Sequence, residues 1–473
     1  MASCVLPAKT GLSQTDFKSY KDGVRRMENQ DNRLVNGKIA PVLLEFAFPF
    51  MVASFLQSVY GAVDLFVVGR YTGSAAVSAV SIGSQLMLIA TMLVQGICMG
   101  GTVLIGRRIG EGDGVGAADA VGNQCVLFAG LALLLTPVML LANRLLVYLM
   151  QTPTEAVADA RNYLLVCTIG FPFITGYNAV SGIYRGLGDS KTPVYFISIA
   201  CAVNIALDFA LVGYFGLGAA GAAWATIAAQ GVSFLCGAAH MIRRGFSFSF
   251  GRQNFRPKSA DMVWILKVGL PLAMQDVLVH LSFLAITAII NTLGLVASAA
   301  VGVAEKFMGF AFIPSSAFSS AVATMVAQNV GAGKHKRAVD SMKYGIGFSL
   351  ICGVLICLVC QLVPETLIAV FSRDGAVIRA GAQYIRTYSM DCVLVSFVFC
   401  MNAYFNGNGL SFICFAHSIA ATFLIRIPVT WAMSRVSADS LLPMGLAAPA
   451  ASLFSIVVCA AYFLYQKNKY HKD

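Results

Sequence analysis

Twelve apolar runs, each long enough to cross a lipid bilayer, dominate this chain of 473 residues. A membrane-spanning helix needs about 20 mostly apolar residues. Charged residues make up 12% of the chain, roughly half of their share in a soluble domain. We therefore predict an all-α integral membrane protein with twelve transmembrane helices. The runs lie near 42–69, 75–105, 120–142, 160–184, 193–213, 217–240, 263–290, 296–328, 342–363, 381–405, 412–433 and 445–466.

The distribution of basic residues predicts how these helices are oriented. With a cytoplasmic N-terminus, alternation through twelve spans places 24 of the 33 Lys and Arg residues on the cytoplasmic side. Cytoplasmic loops are typically enriched in these residues. We therefore expect a multi-pass protein of a bacterial or archaeal plasma membrane, with both termini cytoplasmic. The net charge of +11 then needs no nucleic-acid partner, and anionic lipids of the inner leaflet are expected contacts.

The two halves of the chain repeat one another at an offset of 221 residues. Two glycine-containing loops recur at matched places, RIGEGD against NVGAGK and YRGLGDS against FNGNGLS. Because each half contains six spans, the halves form a parallel repeat about an axis along the membrane normal. Two facing six-helix bundles, hereafter the N-lobe and the C-lobe, enclose a cleft, as alternating access requires. We expect the protein to be a monomer.

The repeat and the composition predict the domain limits. The N-lobe is expected at 39–240, a basic cytoplasmic linker at 241–262, the C-lobe at 263–466 and a short tail at 467–473. Residues 1–38 are polar and are expected to form a cytoplasmic segment rather than a signal peptide. Within it, Met27 opens a second plausible start, so residues 1–26 are interpreted as an upstream extension or as non-native sequence.

Two aspartates, Asp64 and Asp208, lie deep in apolar runs of the N-lobe. A charged side chain inside a membrane is costly and usually faces a bundle interior or an ion path. Asn204 precedes Asp208 by one helical turn, and Thr226 is expected at a similar depth in the next helix. Two carboxylates, an amide oxygen and a hydroxyl suit a hard cation such as Na⁺, because such ions prefer oxygen ligands. They suit a proton equally well, since neighbouring carboxylates in an apolar setting favour protonation.

The alternative for each aspartate is a structural pair with a basic residue, for which Arg70 is the nearest candidate by sequence. The duplication argues against this alternative, because Asp64 corresponds to Ala285 in the C-lobe. A brace required by the six-helix fold would be expected in both lobes.

The C-lobe has its own polar set within or near its spans. Acids and bases occur together there, so the favoured interpretation is a charge-balanced brace between helices, such as Lys306 or Arg426 with Asp391. Handling of substrate or protons is the alternative. The set consists of Asp276, Glu305, Lys306, Asp391, His417 and Arg426.

Other residues are candidates for the wall of the cleft. Pro49 is expected to kink the helix that carries Asp64, and Gln57 lies between the two. Tyr163 is matched by Tyr384 in the repeat, so it is interpreted as structural as much as functional. The small residues of Gly96–Gly101 are interpreted as a close helix-packing face rather than a ligand site.

Five motifs in order resemble the multidrug and toxin extrusion (MATE) family over nearly the whole chain. They are Pro49, Asp64 fifteen residues later, the GLGDSKTP segment that ends at Pro193, the NxxxD pair Asn204 and Asp208, and GLGAAGAAWAT at Gly216–Thr226. The last two resemble the prokaryotic branch whose cation site lies in the N-lobe. The resemblance implies twelve helices and export of organic cations or amphipathic drugs. It also implies coupling to inward flow of Na⁺ or H⁺, without a cofactor.

Three alternative functions are weaker. A lipid-linked oligosaccharide flippase of the same superfold would be expected to have a strongly cationic cavity, whereas the N-lobe charges here are acidic. A membrane enzyme would be expected to carry catalytic motifs such as DDxxD, HExxH or GxSxG, and none is present in the sequence. A simple channel is disfavoured by the asymmetric duplication. We therefore expect a transporter and not an enzyme.

Overall fold

The computed structural model describes residues 33–436 and 440–470, almost all of which are helical. Most of the expected N-terminal segment 1–38, including residues 1–26, and the end of the expected tail 467–473 lie outside the described residues. The first seven helices are α1 (Ile39–Tyr71), α2 (Ser74–Glu111), α3 (Gly114–Leu149), α4 (Val157–Ile169), α5 (Phe171–Gly186), α6 (Lys191–Asp208) and α7 (Gly218–Arg244). Together they form the N-lobe.

The C-lobe repeats this order with more breaks. Its helices are α8 (Ser259–Asn291), α9 (Leu295–Ala311), α10 (Ile313–Gly331), α11 (His335–Leu362), α12 (Pro364–Ala369), α13 (Gly375–Tyr388), α14 (Asp391–Gly407), α15 (Ser411–Ala420), α16 (Ile427–Val436) and α17 (Ala447–Tyr470). Short π-helical segments follow α6 at Phe209–Tyr214 and α15 at Ala421–Arg426.

The number of membrane-length elements agrees with the sequence prediction. Within the described residues, ten helical stretches are long and apolar enough to span a bilayer. Two further helix pairs pass the same test together, but each is bent: α4 and α5 by 47°, and α13 and α14 by 44°. Counting each bent pair as one span gives twelve. These two breaks occupy matched places in the two lobes.

The core of each lobe lies between its helices, where inward-facing apolar side chains pack against one another instead of facing lipid. In the N-lobe, Phe128, Leu164 and Ile183 are almost fully buried between α3, α4 and α5. In the C-lobe, Ile290 and Phe405 are buried in corresponding clusters.

The connection between the lobes is shorter than the predicted linker 241–262, because α7 continues to Arg244 and α8 begins at Ser259. It is fixed to the start of α3. The Lys258 ammonium pairs with Asp119, and Asn254 Nδ2 donates to Asp119 Oδ1 at 2.8 Å. The Lys258 amide donates to Asn123 Oδ1 at 2.7 Å. Because this connection marks one end of both bundles, we call that end the linker face and the other end the opposite face.

Backbone geometry confirms the internal repeat at the loop glycines. Gly112 and Gly333 have φ values of 72° and 71°. Gly188 and Gly409 have φ values of 87° and 78°. Side chains rarely adopt this left-handed conformation, so glycine is favoured at each of these four turns. The same turn chemistry therefore ends corresponding helices in the two lobes.

Glycines also bring the two lobes into backbone contact. A Cβ atom built on Gly100 of α2 would lie 2.2 Å from the carbonyl oxygen of Ile265 on α8. One built on Gly96 would lie 2.4 Å from the Cα of Ala273. The expectation that Gly96–Gly101 forms a close packing face is confirmed. Its partner at Gly96 and Gly100 is the other lobe, whereas Gly101 packs against Gln124 of α3.

A second contact nearer the linker face has pseudo-twofold symmetry. A Cβ atom on Gly110 would meet the carbonyl oxygen of Gln328, and one on Gly331 would meet that of Arg107, at 2.0 and 2.1 Å. Arg107 and Gln328 are themselves matched by the repeat, as are the two glycines. The duplicated ends of α2 and α10 therefore pack against each other as equivalent surfaces.

Residues 33–37, just before α1, connect to both lobes at the linker face. The Leu34 side chain is buried against Gly188 of the N-lobe. From the C-lobe, Asn329 Nδ2 donates to the Leu34 carbonyl at 3.1 Å, and Lys334 Nζ donates to Asn36 Oδ1 at 2.6 Å. The linker face is therefore closed by backbone packing and by these hydrogen bonds.

Candidate functional site

The two N-lobe aspartates come together inside the bundle. Asp64 on α1 is 6% exposed, and Asp208 at the end of α6 is fully buried. Thr226 of α7 donates its hydroxyl to Asp64 Oδ2 at 3.2 Å. The side chains of Asp208 and Asn204 lie beside the Asp64 carboxyl, but without the geometry of a hydrogen bond. The four residues that the sequence indicated therefore form one cluster, built from three helices.

Several polar atoms of this cluster are buried without a hydrogen-bond partner among the described residues. They are both carboxylate oxygens of Asp208, Oδ1 of Asp64, and both amide atoms of Asn204. A buried polar group that lacks a partner is costly, and a buried charge costs more. The donor set is therefore suited to a small cation or a proton, either of which would satisfy these oxygens.

No basic side chain in the described part of the chain neutralises the cluster. Among the described residues, neither Asp64 nor Asp208 forms an ion pair with Lys or Arg. Arg70, the expected structural partner, is exposed near the end of α1. The structural-pair alternative is therefore wrong for the described part of the chain.

A π-helical segment begins directly after Asp208 and runs over Phe209–Tyr214. Such segments are rare and often occur at functional sites, because they displace backbone and side chains from the regular helical spacing. Here the change of helix type falls at the buried carboxylate itself. Hydropathy and helical periodicity gave no signal for it.

Three residues near the acids were missed by the sequence analysis. Tyr60, one turn before Asp64 on α1, interacts with Gln230 of α7 and with both aspartates. Cys167 of α4 interacts with Asp64 and with Tyr163. Helical spacing would have placed Tyr60 near Asp64 and Gln230 near Thr226, but uncharged residues carry no comparable signal in an apolar run.

Tyr163 itself lies beside the cluster. Its hydroxyl is 3.0 Å from the Ser84 hydroxyl of α2, and it interacts with Asp64. The other two candidates for the wall of the cleft, Pro49 and Gln57, lie nearer the start of α1 than Asp64 does. Pro49 is buried fifteen residues from Asp64, about 22 Å along the helix axis. Gln57 is exposed two turns before Asp64. The structure therefore joins Tyr163, but not Pro49 or Gln57, to the acids.

The C-lobe polar set does not form the predicted ion pair. Among the described residues, neither Arg426 nor Lys306 pairs directly with Asp391. The Arg426 guanidinium instead lies 3.9 Å from the centre of the Phe283 ring and donates to the Tyr388 hydroxyl at 3.4 Å. Its charge interacts at longer range with Glu305 and Asp391. The prediction that Asp391 forms an ion pair with Lys306 or Arg426 is therefore wrong for the described residues.

The remaining C-lobe candidates are separate from this group. Asp276 is exposed on α8. The interactions of the buried Asp391 carboxyl run to Ser452 and Arg426 rather than to Asp276. His417 is buried, and its Nε2 lies 2.8 Å from Asn402 Oδ1. Among its described residues, the C-lobe therefore does not join two aspartates in one cluster.

Two lobes of membrane-length helices, one of which buries two carboxylates that have no basic partner among the described residues, define a multi-pass membrane transporter. The chain belongs to the MatE family, whose model matches residues 49–210 and 271–432. The two matched segments correspond to the two lobes. This confirms the resemblance to multidrug and toxin extrusion transporters, and the family is one of transporters rather than enzymes.

Curated relatives match over almost their full length. The "Probable multidrug resistance protein YpnP" of Bacillus subtilis is 27% identical over 435 residues, covering 92% of this chain and 96% of that protein. The "Probable multidrug resistance protein NorM" of Thermotoga maritima is 25% identical over 436 residues, covering 91% and 93%. Both names describe those relatives as probable multidrug resistance proteins.

A solved structure shares the fold. It is described as the outward-facing conformation of a multidrug resistance MATE family transporter of the MOP superfamily. The TM-score is 0.87 at 21% identity, and the match covers 93% of this chain and 98% of that one. At this identity the likeness establishes the two-lobe architecture.

Proposed function

We propose that this protein is a secondary antiporter that exports cationic or amphipathic organic compounds in exchange for Na⁺ or H⁺. Asp64, Asn204, Asp208 and Thr226 form the coupling site in the N-lobe. The lobes, at 39–240 and 263–466, alternate as a monomer between states open to either side of the plasma membrane. The linker face is cytoplasmic, where its basic residues contact anionic lipids.

One observation carries this proposal: two carboxylates are buried in one lobe, and within residues 33–436 and 440–470 they have unsatisfied oxygens and no basic partner. A cation or proton taken from solution would relieve the cost of this arrangement, so occupancy is linked to the conformation of α1 and α6. A single charge that crosses the membrane potential is worth about 2.3 kcal/mol per 100 mV. That energy is sufficient to drive a change of access by more than tenfold.

The seal at the linker face supports alternation. The backbone contact at Gly110 joins the lobes at this face, and those at Gly96 and Gly100 hold α2 against α8 deeper in the molecule. Opening a path to this side requires their separation, whereas the interior of each lobe can remain intact. Binding in the N-lobe interior and separation of the lobes are thus two distinct events that a coupling cation could connect.

The test is gradient-driven transport by aspartate variants in reconstituted vesicles. Asp64→Asn and Asp208→Asn keep side-chain size but remove the charge, so each is expected to abolish efflux of a cationic dye under a Na⁺ or an H⁺ gradient. Asp159→Asn, at a partly exposed aspartate near the start of α4, is the matched control and is expected to retain transport.

Each gradient is imposed separately, so the same assay identifies the coupling ion. Protein content and thermal unfolding of each variant show whether the protein is folded. Full transport by the Asp64→Asn, Asp208→Asn double variant at normal expression would refute the proposal. Export of anionic compounds alone would refute its substrate class.

A further inference from the structure

We propose that Arg426 is a built-in substitute for a second coupling cation, so that only the N-lobe takes up a cation from solution. The inference rests on the proposed coupling site and extends it to stoichiometry. It concerns the C-lobe group formed by Glu305, Tyr384, Tyr388, Asp391 and Arg426, hereafter the arginine group.

The arginine group occupies the same place in the C-lobe as the aspartate cluster in the N-lobe. At the offset of 221 residues, Tyr163 corresponds to Tyr384, which packs on Tyr388 with ring centres 5.4 Å apart. Cys167 corresponds to Tyr388 and Ser84 to Glu305. Tyr163, Cys167 and Ser84 lie beside Asp64 or its direct neighbours, whereas their counterparts surround Arg426.

The pseudo-equivalent helices also share their irregularity. A π-helical segment starts immediately after Asp208 in the N-lobe, and a second one, at Ala421–Arg426 in the C-lobe, ends at Arg426. Each of these rare segments therefore has a charged residue at one end, acidic in the N-lobe and basic in the C-lobe. At the offset of 221 residues Arg426 corresponds to Ile205, about one helical turn before Asp208.

The formal charges of the two loci become equal when the N-lobe holds one monovalent cation. Asp64 and Asp208 contribute two carboxylates without a basic partner among the described residues. Glu305 and Asp391 also contribute two carboxylates, but Arg426 interacts with both of them. A guanidinium is never deprotonated in proteins, so its charge is permanent. In the C-lobe the positive charge is thus part of the protein, as the Arg426 guanidinium. The N-lobe must instead take up a cation from solution.

The position of the guanidinium fits this role. It is enclosed by α8 through Phe283 and by α13 through Tyr388, and both contacts favour a cation. It forms no direct ion pair in the described part of the chain, yet Coulomb attraction is long-ranged in an apolar interior. Lys306 follows Glu305 directly, but it is exposed and points about 100° away around α9. Arg426 is therefore the base that serves Glu305 and Asp391.

The experiment counts cations bound to the purified full-length protein. Radioactive sodium binding and proton uptake on acidification are measured separately, because the coupling ion is either Na⁺ or H⁺. Proton uptake is counted as the difference from the Asp64→Asn, Asp208→Asn, Glu305→Gln variant, because the other acidic residues and the histidines also take up protons. The wild type is expected to bind one cation per chain, and Arg426→Lys also one, since the charge is kept. Arg426→Met exposes two unneutralised carboxylates and is expected to bind a second cation. Adding Glu305→Gln to Arg426→Met is expected to return the count to one.

Removal of the N-lobe site separates this inference from the proposed function. The Asp64→Asn, Asp208→Asn variant is expected to bind no cation, and the same variant with Arg426→Met is expected to bind one. Unchanged binding by Asp64→Asn, Asp208→Asn would refute the proposed coupling site.

Two other results would overturn the inference while leaving the coupling site in place. In the first, the wild type binds two cations per chain and the Asp64→Asn, Asp208→Asn variant binds one. The other is a single cation in Arg426→Met. If Arg426→Met does not fold, Arg426→Gln is measured in its place. A wild-type protein that binds two cations per chain would by itself refute the inference.

Discussion

Gly100→Ala is expected to weaken the contact between the lobes specifically. In the present structure its added Cβ would lie 2.2 Å from the carbonyl oxygen of Ile265, which belongs to backbone and cannot rotate away. Real Cβ contacts are essentially never shorter than 3.0 Å. Helices α2 and α8 must therefore move apart by roughly 1 Å, because protein interiors are close-packed and offer no free space.

The expected magnitude follows from the cost of overpacking, which is typically about 1–3 kcal/mol per inserted group. This cost applies to the conformation in which α2 and α8 touch and is absent where the lobes are apart at the linker face. The population ratio of the two conformations should therefore change by roughly fivefold to 150-fold in favour of the separated form.

Hydrogen–deuterium exchange followed by mass spectrometry measures this shift without labels. Peptides from the linker-face halves of α2 and α8 are expected to exchange faster in Gly100→Ala than in the wild type. The matched control is Gly130→Ala on α3, where an added Cβ meets nothing within 4 Å. Both changes raise helix propensity by a similar amount, about 0.5–1 kcal/mol, so their difference isolates the close contact.

Equal exchange by Gly100→Ala and Gly130→Ala in those peptides would refute the proposed role of the contact. Faster exchange spread over the whole N-lobe would show unfolding of that lobe rather than separation of the two lobes. The expected pattern is confined to the two facing helices.

The remaining predictions concern the coupling site and the orientation. Thr226→Ala is expected to lower the affinity for Na⁺ by roughly tenfold if Na⁺ is the coupling ion, because a hydroxyl that contacts a charged group is lost; Thr226→Ser should retain the affinity, and equal sodium dependence of the two variants would contradict this role. In a cysteine-depleted background, Glu155→Cys is expected to react with a membrane-impermeant thiol reagent in intact cells, whereas Lys336→Cys should react only after lysis. Both positions are exposed, so access to the reagent decides the result. The reverse pattern would invert the proposed orientation.

The helices could be predicted from sequence because membrane-length apolar runs have few alternative structures. Every predicted span has a helical counterpart in the described residues, including 75–105 and 296–328, which contain many small and polar residues. The bends within the fourth and tenth spans could not be predicted. They arise where tertiary packing interrupts an otherwise apolar run, and hydropathy does not measure that packing.

The candidate site was predictable only where charge made it conspicuous. Asp64 and Asp208 were indicated because an acid in an apolar run is costly, and Asn204 and Thr226 followed from helical spacing and the resemblance. Tyr60 gave no such signal. Nor could sequence show that the Arg426 guanidinium lies on an aromatic ring instead of pairing with Asp391, because the numbers of acidic and basic residues in the spans are the same for both arrangements.

The duplication separates the features that build the scaffold from those that determine what it binds. The features that recur at the same offset, such as the left-handed glycines and the paired contacts of Gly110 and Gly331, shape turns and hold the lobes together. The features that differ, two aspartates in one lobe and an arginine in the other, lie near the matched tyrosines Tyr163 and Tyr384. Because a symmetric scaffold gives no structural reason for different charges in its two lobes, the difference points to function. In the mechanism that we propose, a cation that binds one lobe alone makes the two lobes respond differently to the same ion, and this inequality couples a symmetric pair of bundles to a gradient.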